Sequence, residues 1–321
     1  MLRRLAQSMF VIAAMVVIVF FGVYLIGNPI DILISPDASL QEIEDTKARF
    51  GFHLPLYQQF FNFVLNAAQG DLGRSFVHGE SAVALILHYM PATLELAALG
   101  LLFSLLLGLP LGIYAGYRAR QWPGKAIMTG TIFGFSFPNF WVGMLLILIF
   151  SVQLQWLPST GRGETVEVLG LQLSLFAPGG WQYMLLPALT LALHKASLVA
   201  RLAQAGTQEA LLQDYVKFAR AKGLSEVRIL FVHVLKNILI PVVSVLGLEL
   251  GSMIAFAVVT ETVFSWPGMG KLLIDSITKL DRPVIVAYLM MTVLVFVTIN
   301  LVVDLLYTAL DPRVRLQGEQ S

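Results

Sequence analysis

Reactive side chains are sparse in this 321-residue sequence. Cysteine is absent, so thiolate catalysis, disulfides and Cys-based metal sites are excluded. The five histidines are scattered and no H-E-x-x-H occurs, so no metal site is expected. Gly124-Lys125 and Gly270-Lys271 lack both the earlier glycine and the following hydroxyl of a phosphate-binding loop, so the chain is expected to hold no nucleotide. No G-x-S-x-G elbow is present. Two groups of polar residues remain. The first lies within apolar runs: Ser136 and Asn139 interrupt one, and Glu95, Lys195, Glu249 and Asp304 lie in or beside others. Charge is costly in lipid, so these ionisable groups should face a bundle interior or snorkel to its surface. Glu249, nearest the middle of its run, is a candidate for a transport pathway, with structural pairing as the alternative. Ser136 and Asn139 are candidates for lining that pathway or for hydrogen bonding between helices.

The second group is the polar stretch Arg201–Pro241, flanked on both sides by apolar sequence. Gln208–Lys222 is rich in good helix formers. Gly223 stands where a helix C-terminus takes a left-handed residue, and Ser225 where a second helix takes an N-cap. A helix, a sharp turn and a helix at a membrane surface are therefore expected. The charges are Arg201, Lys217, Arg220, Lys222, Arg228 and Lys236 against Glu209, Asp214 and Glu226, a net +3. A solvated cytoplasmic loop would explain the charge alone. Two capped helices point instead to a docking element for a cytosolic partner. Tyr215 and Phe218 would be its anchors, with small Ala219, Ala221 and Gly223 allowing close approach.

Apolar elements must position both groups. With 57% hydrophobic and 13% charged residues, the composition is that of an all-α polytopic membrane protein. Its basic residues sit at membrane ends rather than in a stripe, so no nucleic acid is expected as a partner. Six transmembrane helices are expected, over roughly 9–28, 95–117, 126–152, 181–203, 236–260 and 284–308. The implied organisation is an N-terminal anchor helix over 1–28, an extracytoplasmic segment with short helices over 29–94, a five-helix core over 95–308 carrying the loop 201–236, and a tail over 309–321. Within 29–94, Ser39-Leu40-Gln41-Glu42 reads as a capping box opening a helix that Gly51 closes. Pro55 opens a second helix, with Tyr57, Phe60, Phe61, Val64 and Leu65 as its apolar stripe and Gly70 as its stop. Gly108, Gly112 and Gly116 recur every four residues, which lets a neighbouring helix come close; Pro110 between them is a candidate kink. Glu261–Gly270 reads as a tight external turn that suits a gate or lid carrying Trp266, although a merely rigid turn would use the same residues. Arg3, Arg4, Arg118, Arg120, Lys125, the polar loop, Arg313 and Arg315 gather on one side, so both termini are expected in the cytosol.

Asp214-Tyr215-Val216-Lys217-Phe218-Ala219-Arg220-Ala221-Lys222-Gly223-Leu224-Ser225, followed by His233 and Lys236-Asn237-Ile238-Leu239-Ile240-Pro241, resembles the cytoplasmic signature of ABC-importer permeases. Ala219 and Gly223 match that signature, whereas Lys217 and Phe218 replace its Glu and Ala, and Lys236 stands in place of its Pro. Gly70-Asp71-Leu72-Gly73-Arg74-Ser75-Phe76, Pro91-Ala92-Thr93-Leu94-Glu95-Leu96, Pro138-Asn139-Phe140-Trp141, Val263-Phe264-Ser265-Trp266-Pro267-Gly268-Met269-Gly270 and Leu310-Asp311-Pro312-Arg313-Val314-Arg315 are similar, in order, to the peptide-transport branch, with its dipeptide, oligopeptide, nickel and glutathione permeases. The resemblance covers nearly the full length and is nearest to the first of the two permease subunits.

The resemblance implies a type I ABC importer permease fold in a bacterial or archaeal inner membrane. It implies a second, homologous permease subunit, two cytosolic ABC ATPase subunits that carry ATP and Mg, and an extracytoplasmic solute-binding protein. This chain would then be no enzyme, hold no cofactor, and pass a small solute such as a di- or oligopeptide. Asp214–Gly223 would be the coupling helix through which the ATPases drive it. On their own, the residues also allow an ion-coupled secondary transporter using Glu249 or Asp304, or a membrane scaffold that moves nothing.

Overall fold

The computed structural model describes residues 2–24, 39–49 and 53–310. Gly51, the tail from Asp311 and the side chain of Asp304 lie outside the described residues. The elements are α1 (Leu2–Tyr24), α2 (Leu40–Arg49), α3 (Leu56–Ala68), α4 (Ala82–Tyr117), α5 (Trp122–Ser136) and α6 (Asn139–Leu146), which continues as a π-helical turn, Ile147–Gln153. A hairpin of β1 (Val166–Val168) and β2 (Leu171–Leu173) follows, then α7 (Gly180–Leu211) and α8 (Asp214–Ala221). The short α9 (Glu226–Arg228) runs through a π-helical turn, Ile229–Val234, into α10 (Leu235–Val263), and α11 (Met269–Thr278) and α12 (Arg282–Leu310) complete the chain. Among the described residues, four helices are long and apolar enough to cross a membrane: Ala82–Tyr117, Gly180–Leu211, Pro241–Val263 and Arg282–Val303. The bent pair α5 and α6 makes a fifth if it counts as one span, and α1 contains a shorter apolar stretch, Met9–Gly22.

The chain divides into two compact units, Met1–Thr93 with Pro267–Val297, and Leu94–Trp266 with Thr298–Ser321. In the first unit, the Ser39 N–H donates to Glu42 Oε2 (2.9 Å) and the Glu42 N–H to Ser39 Oγ (3.3 Å), the reciprocal bonds of a capping box at the start of α2. Phe60 of α3 packs on Phe20 and Phe21 of α1 at ring distances of 5.2 and 5.8 Å. Tyr57, Phe61 and Leu65, from the same expected stripe, are exposed. Helix α4 begins at Ala82 rather than near 95, because Ala82, Leu85 and Ile86 are buried in this unit and their packing carries the helix on through Pro91. A carboxylate the sequence did not single out, Asp281, is buried here and accepts bonds from Ser75 Oγ (2.5 Å) and the Phe76 N–H (3.0 Å).

The second unit is built around α7, which packs against α5, α6 and α10. The glycine repeat of α4 faces small residues of α7. A Cβ at Gly108 would lie 2.6 Å from Val199 Cβ, and one at Gly116 would lie 2.7 Å from Thr207 Cβ. At Gly112 it would run into the Ala200 carbonyl oxygen and lie 2.6 Å from Ala203 Cβ. Small residues on both helices thus bring the two backbones together, the usual device where lipid offers no hydrophobic drive. Gly112→Ala is expected to cost about 1–3 kcal/mol, because the obstructing atoms are backbone and the helices must separate. Gly130→Ala, with nothing within 4 Å of the new methyl, should be neutral or stabilising. Thermal unfolding of the two variants in detergent separates them, and equal midpoints would refute the packing account.

Helices α5 and α6 meet at a 102° bend. Phe137 and Pro138 are both extended (ψ 136° and 139°), and proline offers no N–H to continue the ladder. The hairpin was not anticipated. Its two-residue turn, Leu169-Gly170, has φ of +54° and +81°, the left-handed pair that a tight hairpin requires.

Candidate functional site

The polar stretch folds differently in one respect from the helix expected over Gln208–Lys222. Helix α7 continues to Leu211, and the chain then breaks at Gln213, whose extended backbone (ψ 150°) starts α8. Asp214 occupies the first turn, where the helix dipole favours an acid, and pairs with Lys217 at 2.8 Å. That bond holds the Asp214 carboxyl below the usual carboxylate range. Both partners are exposed, so the pair adds little stability.

Val216 and Ala219 are buried in a cluster with Ile113, Ala203, Ala210, Ile229, Val234 and Ile238. Ala219, expected to let a partner approach, therefore serves to seat α8 on its own unit. The remaining residues of the segment, Asp214, Tyr215, Lys217, Phe218, Arg220, Ala221, Lys222 and Gly223, are exposed. Phe218 is 64% exposed and lies under the Lys222 ammonium at 4.7 Å, and the Tyr215 hydroxyl accepts from Asn237 Nδ2 at 2.8 Å. The turn after α8 is a Schellman motif: the Gly223 N–H donates to the Arg220 oxygen (2.9 Å), the Leu224 N–H to the Ala219 oxygen (3.2 Å), and Gly223 has φ +76°. Ser225 Oγ then caps the next helix by accepting from the Arg228 N–H. Arg220 braces the turn with a bidentate bridge to Glu226 (2.8 and 3.1 Å). Its hydrogen bond holds the Glu226 carboxyl low and the guanidinium high. The result is a short, rigidly mounted helix whose outer face carries aromatic and cationic groups.

Of the pathway candidates, Ser136 turns its hydroxyl back to the Ile132 oxygen at 2.7 Å, so its bond lies within its own helix. Asn139 opens α6 and its side chain makes no hydrogen bond among the described residues. Glu249 pairs with Lys195, and Ser252 Oγ lies 2.8 Å from Glu249 and 3.0 Å from Lys195. Next to Lys195, His194 stacks on Phe135 at 4.3 Å, and the Arg201 guanidinium lies 4.8 Å from the same ring.

Trp266 is fully buried. It follows a second Schellman turn, in which the Trp266 N–H donates to the Glu261 oxygen (2.8 Å) and Ser265 takes φ +46°. Arg162, which the sequence did not single out, lies 5.6 Å from the Trp266 ring and bonds Glu95 Oε2 (2.9 Å) and the Gln172 oxygen (2.6 Å). The other Glu95 oxygen accepts from the Leu175 N–H at 2.7 Å. The Gly161 N–H donates to the Phe264 oxygen at 2.9 Å, so hairpin loop and turn are tied at two points. Among the described residues no group of three or more potential metal ligands occurs.

Comparison with known proteins bears on this arrangement directly. Residues 108–316 match the family described as binding-protein-dependent transport system inner membrane component. The glutathione transport system permease protein GsiC of Escherichia coli strain K12 is 38% identical over 315 residues, covering 98% of this chain and 97% of that protein. The GsiC proteins of Escherichia coli O6:H1 and Shigella flexneri serotype 5b give the same figures. A chain of the MetNI methionine ABC transporter in an inward-facing conformation superposes with a TM-score of 0.53, covering 71% of this chain and 96% of that one; at 15% identity the likeness concerns the fold. The membrane-length helices, the matched family and the full-length relatives agree, and the chain belongs to the binding-protein-dependent transport system inner membrane components, as a permease subunit of an ABC importer and not an enzyme.

Proposed function

We propose that the chain is the first of two permease subunits in an ATP-driven importer of a peptide-type solute, glutathione being one precedent among its relatives. Six helices span the inner membrane, α1 and the bent pair α5 and α6 each supplying one. Both termini face the cytosol, and α2 and α3 lie on the outer side. A second permease subunit completes the pathway, two cytosolic ATPases bind ATP and Mg, and a solute-binding protein delivers the cargo from outside. Helix α8 is the handle: Asp214–Gly223 seats in a groove of an ATPase, and ATPase closure moves the spans. Ser136, Asn139, Glu249 and Trp266 are the pathway and gate candidates.

The observation that carries this reading is the mounting of α8. Val216 and Ala219 fix it to the unit that α7 and α10 build, while Tyr215 and Phe218 are left outward. A force applied to α8 therefore reaches those two long helices, as coupling between distant sites requires. Reconstitution in liposomes tests the whole scheme. Labelled glutathione should accumulate only when the second permease, the ATPases, the binding protein and ATP are all present. Accumulation by this chain alone, driven by an ion gradient, would overturn it.

A further inference from the structure

We propose that Lys195 and Glu249 form a cargo site within the membrane-spanning part of the pathway that takes the carboxylate and the ammonium of a zwitterionic solute. The inference rests on the importer reading and adds to it a site and the chemistry of its ligand. Lys195 lies at the middle of the 32-residue helix α7, and Glu249 is the central residue of the 29-residue helix α10. Glu249 stands in the middle of the expected span 236–260 and Lys195 lies inside the expected span 181–203, before the polar stretch that opens at Arg201, so both groups are placed where charge is costly.

Packing does not require them. Elsewhere the same two helices meet through Val199, Val242 and Leu246, and through Gly206 against Ile238, with no charge involved. An ion pair withdrawn from water is commonly no more stabilising than apolar side chains of similar volume, so the presence of a part-buried one within the spans calls for another role.

The hydrogen-bond inventory supplies one. Both bonds to the Glu249 carboxylate arrive at Oε2, from Lys195 and from Ser252 Oγ. Oε1 has no hydrogen-bond partner among the described residues, and it is not among the sealed-off atoms. Lys195 uses two of its three N–H donors, on Glu249 and Ser252. A spare acceptor and a spare donor thus stand side by side, with 27% and 17% of the two side chains accessible. An ammonium can bind Glu249 Oε1 while a carboxylate takes the third Lys195 proton. An unblocked peptide carries both groups, and its entry leaves no charge uncompensated. Because the ligand uses only the spare acceptor and donor, the Lys195–Glu249 bond persists and the two charges stay compensated after the cargo departs.

The test uses the complete transporter in liposomes with the double variant Lys195→Met/Glu249→Gln. This substitution removes both charges together and strands neither. Uptake of labelled trialanine is read beside the ATP hydrolysis that loaded binding protein stimulates. The expected result is an uptake loss of at least about tenfold with stimulated hydrolysis kept within about twofold. Uptake at the wild-type rate would show the pair to be merely structural, and loss of uptake together with stimulated hydrolysis would assign it to assembly or coupling; either overturns the site. A wild-type complex that moves no solute with ATP would instead sink the importer reading, and the site with it. As a second readout, the wild-type complex should import more trialanine per ATP hydrolysed than its C-terminal amide, and Lys195→Met should erase that preference. An undiminished preference in Lys195→Met overturns the assignment of the carboxylate to Lys195.

Discussion

Gly223→Pro is expected to leave membrane insertion intact while abolishing both co-purification with the ATPase subunits and ATP-driven uptake. Three features of the turn forbid proline. Gly223 has φ +76°, whereas the proline ring fixes φ near about −65°. Its N–H donates to the Arg220 oxygen, a bond that proline cannot make. Lys222 sits at φ −77°, ψ 0°, and a following proline pushes its predecessor toward extended backbone. Rebuilding the turn re-aims α8 relative to α9 and breaks the Arg220–Glu226 brace. Helices α7 and α10 do not depend on it, which is why insertion survives. Gly223→Ala makes a graded control. A Cβ there meets nothing within 4 Å, so only the left-handed backbone is penalised, by about 1–2 kcal/mol, and assembly should persist. Full uptake by Gly223→Pro would remove α8 as the point of docking.

The features that could be read from sequence were those whose cause is local. The turn at Gly223, the cap at Ser225 and the break around Pro138 each follow from one residue's backbone preference, and each is present. The glycine repeat Gly108, Gly112 and Gly116 named a close helix contact, although nothing in it identified α7 as the neighbour. Long-range choices were hidden. Lys195 and Glu249 were expected to face a bundle interior or snorkel, with structural pairing as one alternative for Glu249, but 54 residues separate them and only the fold pairs them. Nothing in the sequence singled out Arg162, because its acceptor, Glu95, is 67 residues away. The early start of α4 at Ala82 is a tertiary effect: residues ahead of the expected span 95–117 are drawn into the helix by the burial of Ala82, Leu85 and Ile86. The hairpin did leave a signal in the alternation of Val166–Leu173 around Leu169-Gly170, but a three-residue strand is too short to stand out from a polar loop.

Arg162→Met is expected to destabilise the second unit by about 3–5 kcal/mol, since it strands the Glu95 carboxylate in a site where the two side chains are only 10% and 5% exposed. It also removes the cation beside the Trp266 ring and the bond to the Gln172 oxygen. The double variant Arg162→Met/Glu95→Gln should recover most of the loss. The glutamine oxygen still accepts from the Leu175 N–H, and no buried charge is left alone. Thermal unfolding in detergent measures both, and an Arg162→Met midpoint equal to the wild type would show the pair to be structurally idle. The same experiment separates two roles for the turn that holds Trp266. If Arg162 and the Gly161–Phe264 bond act as a fixed brace, uptake by the complete transporter should fall in proportion to stability, and the double variant should restore both together. If the turn is a gate that opens on each cycle, its closing contacts must be weak enough to break, and Arg162→Met should cost uptake while leaving the unfolding midpoint nearly unchanged. Depth of burial decides between them: a charge pair this thoroughly removed from solvent is costly to open on every cycle, which favours the brace.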